Sequence, residues 1–392
     1  MLDLTRLMEA AARHPLYAGW DFSQISCFDD AAWRRLPTLT SNHLRETQPP
    51  TVHGPELLFY SSGTTGTPKM IGFSPEDLDR VSELCARFAR LEGITSHSRV
   101  MVLLPMGLWT VGKITVNGHR LAGAEVFPVD LHGGIEAWQR MAGLIRPTVI
   151  SSTPSVLAAW APHYQGPRLE IVESTGEPLL DSERHLIEAR FGAFVHDAYG
   201  LSECVVGTEC RVRDGFHYWP DATHVEVLEP DSDRPVADGT TGELVVTSLM
   251  QSHLPILRFR TGDRGHINRR PCACGHGMPR VHLEGRIANT LKLPRAVQLD
   301  ASELAALIGS QVRDGRFRYK SAPGSPAEPF LEGRFRPLLE IRIPADQADK
   351  QESVRKNLLM VLPELAELVH EQEIGLHFAI DGEKSPAAGG LA

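Results

Sequence analysis

The segment best equipped for chemistry reads Tyr60-Ser61-Ser62-Gly63-Thr64-Thr65-Gly66-Thr67-Pro68-Lys69. Two glycines let a backbone turn tightly and aim its N–H groups inward. The hydroxyls of Ser61, Ser62, Thr64 and Thr65 can donate to phosphate oxygens, and Lys69 adds a positive charge at the loop's end. Together they describe an anion cradle for a polyphosphate. The spacing does not fit GxxxxGK[ST], so this is not a Walker loop. The rival reading, a flexible Ser/Thr/Gly linker, does not account for the apolar run Leu57-Leu58-Phe59 before the loop or the Pro-Lys after it.

A second group has metal-ligand chemistry. Cys272-x-Cys274-Gly275 has the tight spacing of a metal knuckle, and Cys210 and His217 lie upstream. In a reducing compartment thiolate pairs go to metals more readily than to disulfides. Cys210, His217, Cys272 and Cys274 form a complete tetrahedral set for one structural zinc. Cys204 and His276 stand as substitute ligands, and four unligated buried side chains are the rival reading. Cys27 and Cys85 stand alone in sequence as ordinary thiols.

Elements must hold these groups. Glu56–Tyr60 reads as a strand entering the loop, and Asp77–Leu91 as a helix with apolar residues at helical spacing. Arg99–Leu104, Ala124–Val129, Thr148–Ser152, Leu169–Glu173 and Phe194–His196 read as strands, with a helix at Asp181–Phe191. Strands alternating with helices point to an α/β fold with a parallel sheet covered on both faces. After about residue 215, short strands at Val225–Glu229, Glu243–Thr247 and Pro255–Arg260 suggest a small antiparallel β unit. A helix at Ser302–Ile308, a strand at Leu338–Ile343, a helix at Asp346–Leu362 and a strand at Gly375–Ile380 then suggest a small α+β domain. The expected boundary lies between 286 and 287, giving domains 1–286 and 287–392.

Composition bounds the function. The chain has 392 residues, 42% hydrophobic and 23% charged, which suits a globular protein of two or three domains. Forty basic against 49 acidic residues give a formal charge of −9, which argues against nucleic-acid binding. No apolar run approaches the ~20 residues of a membrane span. The N-terminus lacks a secretory layout, so the expected compartment is the cytoplasm.

SSGTTGTPK resembles the signature loop of the adenylate-forming superfamily, which includes acyl- and aryl-CoA ligases. Further motifs follow in that family's order. Gly176-Glu177-Pro178 resembles the segment that lies along the adenine. Asp197-Ala198-Tyr199-Gly200-Leu201-Ser202-Glu203 resembles the segment whose aromatic stacks on the base, whose hydroxyl meets the α-phosphate and whose Glu holds Mg²⁺. Arg260-Thr261-Gly262-Asp263 resembles the segment whose Asp accepts the ribose hydroxyls, and Gly285-Arg286 the pair before the interdomain hinge. Within the superfamily the chain is most similar to phenylacetate–CoA ligases. Pro105-Met106-Gly107-Leu108-Trp109-Thr110, Leu121-Ala122-Gly123-Ala124, Asp214-Gly215-Phe216-His217 and Cys272-Ala273-Cys274-Gly275 carry that similarity.

The resemblance implies a large domain that binds ATP and a carboxylic acid, and a small mobile domain. It implies ATP, Mg²⁺ and CoA as reaction partners. Lys69, Glu203 and a small-domain lysine, Lys384 by its order in the chain, are the implied catalytic groups. Met106, Gly107, Trp109, Tyr199 and Gly200 would line the acid pocket. Trp109 and Tyr199 offer flat walls for an aromatic acid, although a core role for Trp109 stays open. After Gly285-Arg286 the family has Asp-Asp and then Arg-Gly; this chain has Ile287-Ala288-Asn289-Thr290-Leu291-Lys292-Leu293-Pro294-Arg295. Three outcomes therefore remain open: transfer to CoA, transfer to a carrier protein or reductase, and nucleotide binding without catalysis. A homodimer is also left open.

Overall fold

The computed structural model describes residues 3–28, 31–46, 57–61, 69–107, 109–129, 131, 133–229, 232–286, 290–293, 298–313, 316–320, 337–371 and 374–380. The chain divides into a larger unit of Met1–Ser61 and Lys69–Ile287 and a smaller one that takes in Ala288–Ala392.

The larger unit opens with three short helices, α1 (Leu4–Arg13), α2 (Ala31–Arg35) and α3 (Ser41–Glu46). Strands β1 (Leu57–Ser61) and β2 (Lys69–Phe73) pair antiparallel, with Ser61 opposite Lys69 at the loop end. Helix α4 (Pro75–Glu92) starts at a capping box between Ser74 and Asp77 and stops at Gly93, whose φ of 100° only glycine adopts easily. Then come β3 (Arg99–Leu103), α5 (Thr110–Ala122), β4 (Glu125–Val129), α6 (Gly134–Ile145), β5 (Val149–Ser152), α7 (Pro154–Trp160), β6 (Ile171–Thr175), α8 (Asp181–Phe191) and β7 (Phe194–Gly200). Next are β8 (Val205–Glu209), β9 (Phe216–His217), β10 (Thr223–Leu228), β11 (Gly242–Ser248), β12 (Phe259–Asn268) and β13 (Arg280–Arg286).

Eleven of these strands form one sheet in the order β10-β11-β12-β13-β9-β8-β7-β6-β5-β3-β4. From β4 to β7 the pairs are parallel. From β7 onward every pair is antiparallel. The expected antiparallel unit is thus present, hydrogen-bonded directly onto the parallel strands. Alternate side chains feed two cores, as the pleat requires. Val100 and Val102 join Ala89 and Ile94 on one face, while Met101 and Leu103 join Trp138, Trp160 and Phe191 on the other.

In the smaller unit β14 (Thr290–Lys292) pairs with β15 (Gln298–Asp300), followed by α9 (Ala301–Gln311). Strand β16 (Arg316–Lys320) pairs antiparallel with β17 (Leu338–Ile343), which pairs parallel with β18 (Gly375–Ile380). Leu304, Ile308, Leu339, Ile341, Leu358 and Leu365 fill its core. The single helix expected over Asp346–Leu362 is divided. A 3-10 turn covers Ala345–Lys350, α10 is Gln351–Val361, and α11 (Pro363–His370) restarts at a proline suited to a first helical turn. Among the described residues no helix is long and apolar enough to cross a membrane.

Candidate functional site

Strand β12 points Phe259, Thr261, Asp263, Gly265 and Ile267 inward. Asp263 lies at the centre of a clasp. Tyr199 on β7 donates its hydroxyl to Oδ2 at 2.8 Å, and Arg286 at the end of β13 donates Nε to Oδ1 at 2.9 Å. Arg286 also donates Nη2 to the Thr261 carbonyl at 3.1 Å, and the Asp263 amide donates to the Thr261 hydroxyl at 3.0 Å. Burial pushes the Asp263 carboxyl up, while Arg286 and the Tyr199 hydroxyl oppose that shift. Burial also raises the Tyr199 phenol, which therefore stays a donor.

A second pair comes from the β7–β8 hairpin. Its turn is closed by Leu201 N donating to Cys204 O at 2.8 Å and Cys204 N to Leu201 O at 3.2 Å. That turn carries Ser202 and Glu203. The Glu203 carboxylate, 2% exposed, is ion-paired with Lys69 at the start of β2. Lys69 Nζ also donates to Ser41 Oγ at 3.3 Å and sits 5.8 Å from the Phe259 ring centre. Helix α3, β2, the β7–β8 turn and β12 therefore converge on one ammonium group.

Gly176, at φ 82°, follows β6 in a left-handed turn. The Glu177 carboxylate is turned onto the first turn of α7, accepting from Ser155 N at 3.1 Å and Ser155 Oγ at 2.9 Å. Pro178 follows it toward α8. Asp197 and Ala198 lie on β7, and Gly200 ends that strand. Asp197 accepts from Ser174 Oγ at 2.9 Å, and burial, then the nearby Glu209 charge, push its carboxyl up to about 7. Met106, Gly107 and Trp109 occupy the connection from β3 to α5. A Cβ on Gly112 would lie 2.2 Å from the Pro105 carbonyl, so this glycine lets α5 close onto that connection. Trp109 is half-buried and belongs to none of the apolar cores among the described residues. Ser62, Gly63, Thr64, Thr65, Gly66 and Lys384 lie outside the described residues, while Ser61 is fixed through its backbone opposite Lys69.

Three participants were not singled out from sequence. Ser41 lies in a helix with no spacing relation to the phosphate loop. Ser155 follows a strand in a common Thr-Pro-Ser turn. Thr261 sat inside the quoted Arg-Thr-Gly-Asp string, where only the aspartate carried a signal.

The structure gathers the four expected metal ligands. Ligand atoms of Cys210, His217, Cys272 and Cys274 all lie within 4.8 Å of one another. Cys210 Sγ is 3.8 Å from Cys272 Sγ, and Cys274 Sγ is 3.4 Å from His217 Nε2. A zinc tetrahedron with ordinary bond lengths has S–S edges of about 3.8 Å and S–N edges of about 3.6 Å. The donor set and its spacing fit zinc. None of the six cysteines is in a disulfide. Cys204 faces Thr223 instead, and His276 contributes no ligand atom to the group.

A family model described as AMP-binding enzyme matches residues 8–251. The chain belongs to the AMP-binding enzyme family. Among curated members, the phenylacetate-coenzyme A ligase of Escherichia coli is 32% identical over 278 residues, covering 66% of this chain and 61% of that protein. The phenylacetate-coenzyme A ligase of Thermus thermophilus is 34% identical over 263 residues, covering 63% and 58%. This AMP-binding enzyme is similar to phenylacetate–CoA ligases over that region, and spans about three fifths of the length of the curated relatives it matches. A solved 2-hydroxyisobutyryl-CoA ligase, in complex with 2-HIB-AMP and CoA in the thioesterification state, superposes with a TM-score of 0.77 at 21% identity. The superposition covers 98% of this chain and 86% of that one, so the two chains share a fold.

Proposed function

We propose that the protein activates a carboxylic acid, aromatic in class, by transferring AMP to it from ATP, and then passes the acyl group to CoA. The observation that carries this reading is the Asp263 clasp. A carboxylate accepts about four hydrogen bonds, and Tyr199 and Arg286 hold this one in a fixed plane with acceptor capacity remaining. Such a group suits a ribose diol. The loop from Ser61 to Lys69 then receives the phosphates, and Gly176–Pro178 with Tyr199 flanks the base.

The acid carboxylate attacks the α-phosphorus in line, its oxygen forming the new P–O bond while pyrophosphate leaves. The protein's own part is positioning and charge neutralisation. Lys69 changes partner from Glu203 to the phosphates, and Glu203 is thereby freed to hold Mg²⁺, a hard ion that suits a carboxylate. When bound, Mg²⁺ neutralises charge on the phosphate oxygens. Met106, Gly107, Trp109 and Gly200 form the acid pocket. Residues 287–392 act as the mobile small domain, with Lys384 as its lysine. The Cys210–His217–Cys272–Cys274 group takes a structural zinc. The phenylacetate–CoA ligases among the relatives support the acid and CoA assignments, and the compartment we assign is the cytoplasm.

The run Ile287–Arg295, which departs from the family's hinge pattern, favours one alternative: a carrier protein or reductase as acyl acceptor. ATP–pyrophosphate exchange over a panel of aromatic acids, with AMP release measured with and without CoA, tests both. CoA-dependent AMP release supports the ligase, exchange without CoA dependence supports the alternative, and no exchange with any acid overturns both.

A further inference from the structure

The sheet is thinnest at β9. This strand has two residues, and its pairing with β13 consists of Arg280 with His217 and Val281 with Phe216. Its pairing with β8 is equally short, Thr208 with His217 and Glu209 with Phe216. Among the described residues, the ladder between the β7–β8 hairpin and the β12–β13 hairpin runs through this joint, with Tyr218 N donating to Pro279 O at 3.2 Å beside it. Two residue pairs specify register weakly.

The joint must nevertheless hold a sharp bend. Between β7 and β12 lie β8, β9 and β13. Four strand spacings in a flat sheet would separate β7 from β12 by about 19 Å. Yet Tyr199 on β7 touches Asp263 on β12 at 2.8 Å. The two hairpins therefore fold toward each other about β9.

The four ligands sit across that joint. Cys210 directly follows β8, His217 is in β9, and Cys272 and Cys274 occupy the turn between β12 and β13. That turn is tightened by Gly275 N donating to Cys272 O at 3.0 Å, with Gly275 at φ 88°. Asn268 faces Arg280 at the turn end of the β12–β13 ladder, and Asp263 faces Arg286 at the other. We propose that zinc in this group is a tie that fixes the angle and register of the two hairpins, and so positions Asp263 and Arg286 against Tyr199 for nucleotide binding. This inference rests on the zinc assignment made above. His217 and the three cysteines are positioning residues that act through the clasp.

The test begins with metal analysis of the full chain purified without chelator. About one zinc per chain is expected, and cobalt replacement should give the absorption of a tetrahedral thiolate site. Less than half an equivalent overturns the zinc assignment itself. Zinc is then removed by chelator, and separately by Cys274→Ser, the ligand most open to solvent. The expected result is retained circular dichroism, faster amide exchange at Phe216–Tyr218, AMP affinity at least tenfold weaker, and a raised KM for ATP with an unchanged KM for the acid. Zinc added back should restore the chelated protein, and His217→Cys, which keeps four ligands, should retain metal and near-normal AMP affinity. Unchanged AMP affinity in folded, zinc-free protein overturns the tie while leaving the zinc assignment intact. Unfolding of the whole chain on zinc loss also overturns it, because the metal would then be a general scaffold.

Discussion

Tyr199 and Asp263 are 64 residues apart in sequence, and the hydroxyl of one reaches the carboxylate of the other at 2.8 Å in a buried setting. Hydrogen bonds to a charged group contribute about 1.5–3 kcal/mol to stability, so Tyr199→Phe should lower the melting temperature and, by freeing the Asp263 carboxylate from its fixed plane, raise the KM for ATP. Asp263→Ala should lower ATP–pyrophosphate exchange at least a hundredfold, because it removes the acceptor for both partners. Exchange assays across ATP concentrations check both, and an unchanged KM in both variants would remove the ribose assignment.

Lys69 and Glu203 form a pair with side chains 12% and 2% exposed. Removing one partner of such a pair leaves a poorly solvated charge and costs on the order of 3 kcal/mol. Lys69→Met and Glu203→Gln should each lower the melting temperature by several degrees. The double variant should recover most of that loss. All three should lack adenylation activity, which separates the stability role from the catalytic one. Equal, additive losses of stability would show that the two charges do not depend on each other.

Trp109 precedes α5 without joining a core of the described residues, so its removal should be felt by the acid rather than by the fold. Trp109→Ala should raise the KM for an aromatic acid about tenfold, from lost apolar burial, while leaving the KM for ATP within about twofold. A large fall in melting temperature with unchanged acid KM would make Trp109 a packing residue.

Asp197 has its carboxyl raised to about 7 from 3.8 by burial and by Glu209. A carboxyl raised in the folded state binds more protons there than in the unfolded chain, so its contribution to stability is full below pH 3.8 and is lost as pH rises through 7. Asp197→Asn carries no such titration. The melting temperature of the variant minus that of the parent should therefore increase from pH 4 to pH 7 and level off above. A flat difference across that range would refute the assignment.

Much of the fold was legible where local signals agreed with tertiary demands. Helix α4 carries its capping box and terminal glycine in sequence, and α8 occupies the expected Asp181–Phe191. Strand β12 was harder. The expected strand, Pro255–Arg260, overlaps only its beginning, because the inward positions include Thr261, Asp263 and Gly265 rather than large apolar residues. The residues that build the Asp263 clasp are those that erase the apolar alternation of a buried strand. Helix α5 was hidden for a related reason. Gly112 and Gly118 weaken its helical signal, yet a Cβ at Gly118 would lie 2.5 Å from Cys85 Cβ, so close packing on α4 requires the glycine. The grouping of Cys210, His217, Cys272 and Cys274 was legible from spacing and residue type. The Lys69–Ser41 and Glu177–Ser155 contacts were not, since a serine hydroxyl carries no sequence signature of its partner.

If the intervening loop receives the phosphates as proposed, the facing of Ser61 and Lys69 across the β1–β2 ladder has a consequence for recognition of the anion. The seven residues from Ser62 to Pro68 are strung between two points that the hairpin already holds together. Bringing the ends of a free seven-residue loop together would cost roughly 2 kcal/mol of chain entropy. Here that loss is incurred when the hairpin forms, before any nucleotide arrives. On the proposed reading, affinity for a polyphosphate is therefore coupled to the pairing of a two-stranded ribbon, and substitutions that fray the ribbon should be read as weaker nucleotide binding rather than as a defect in chemistry.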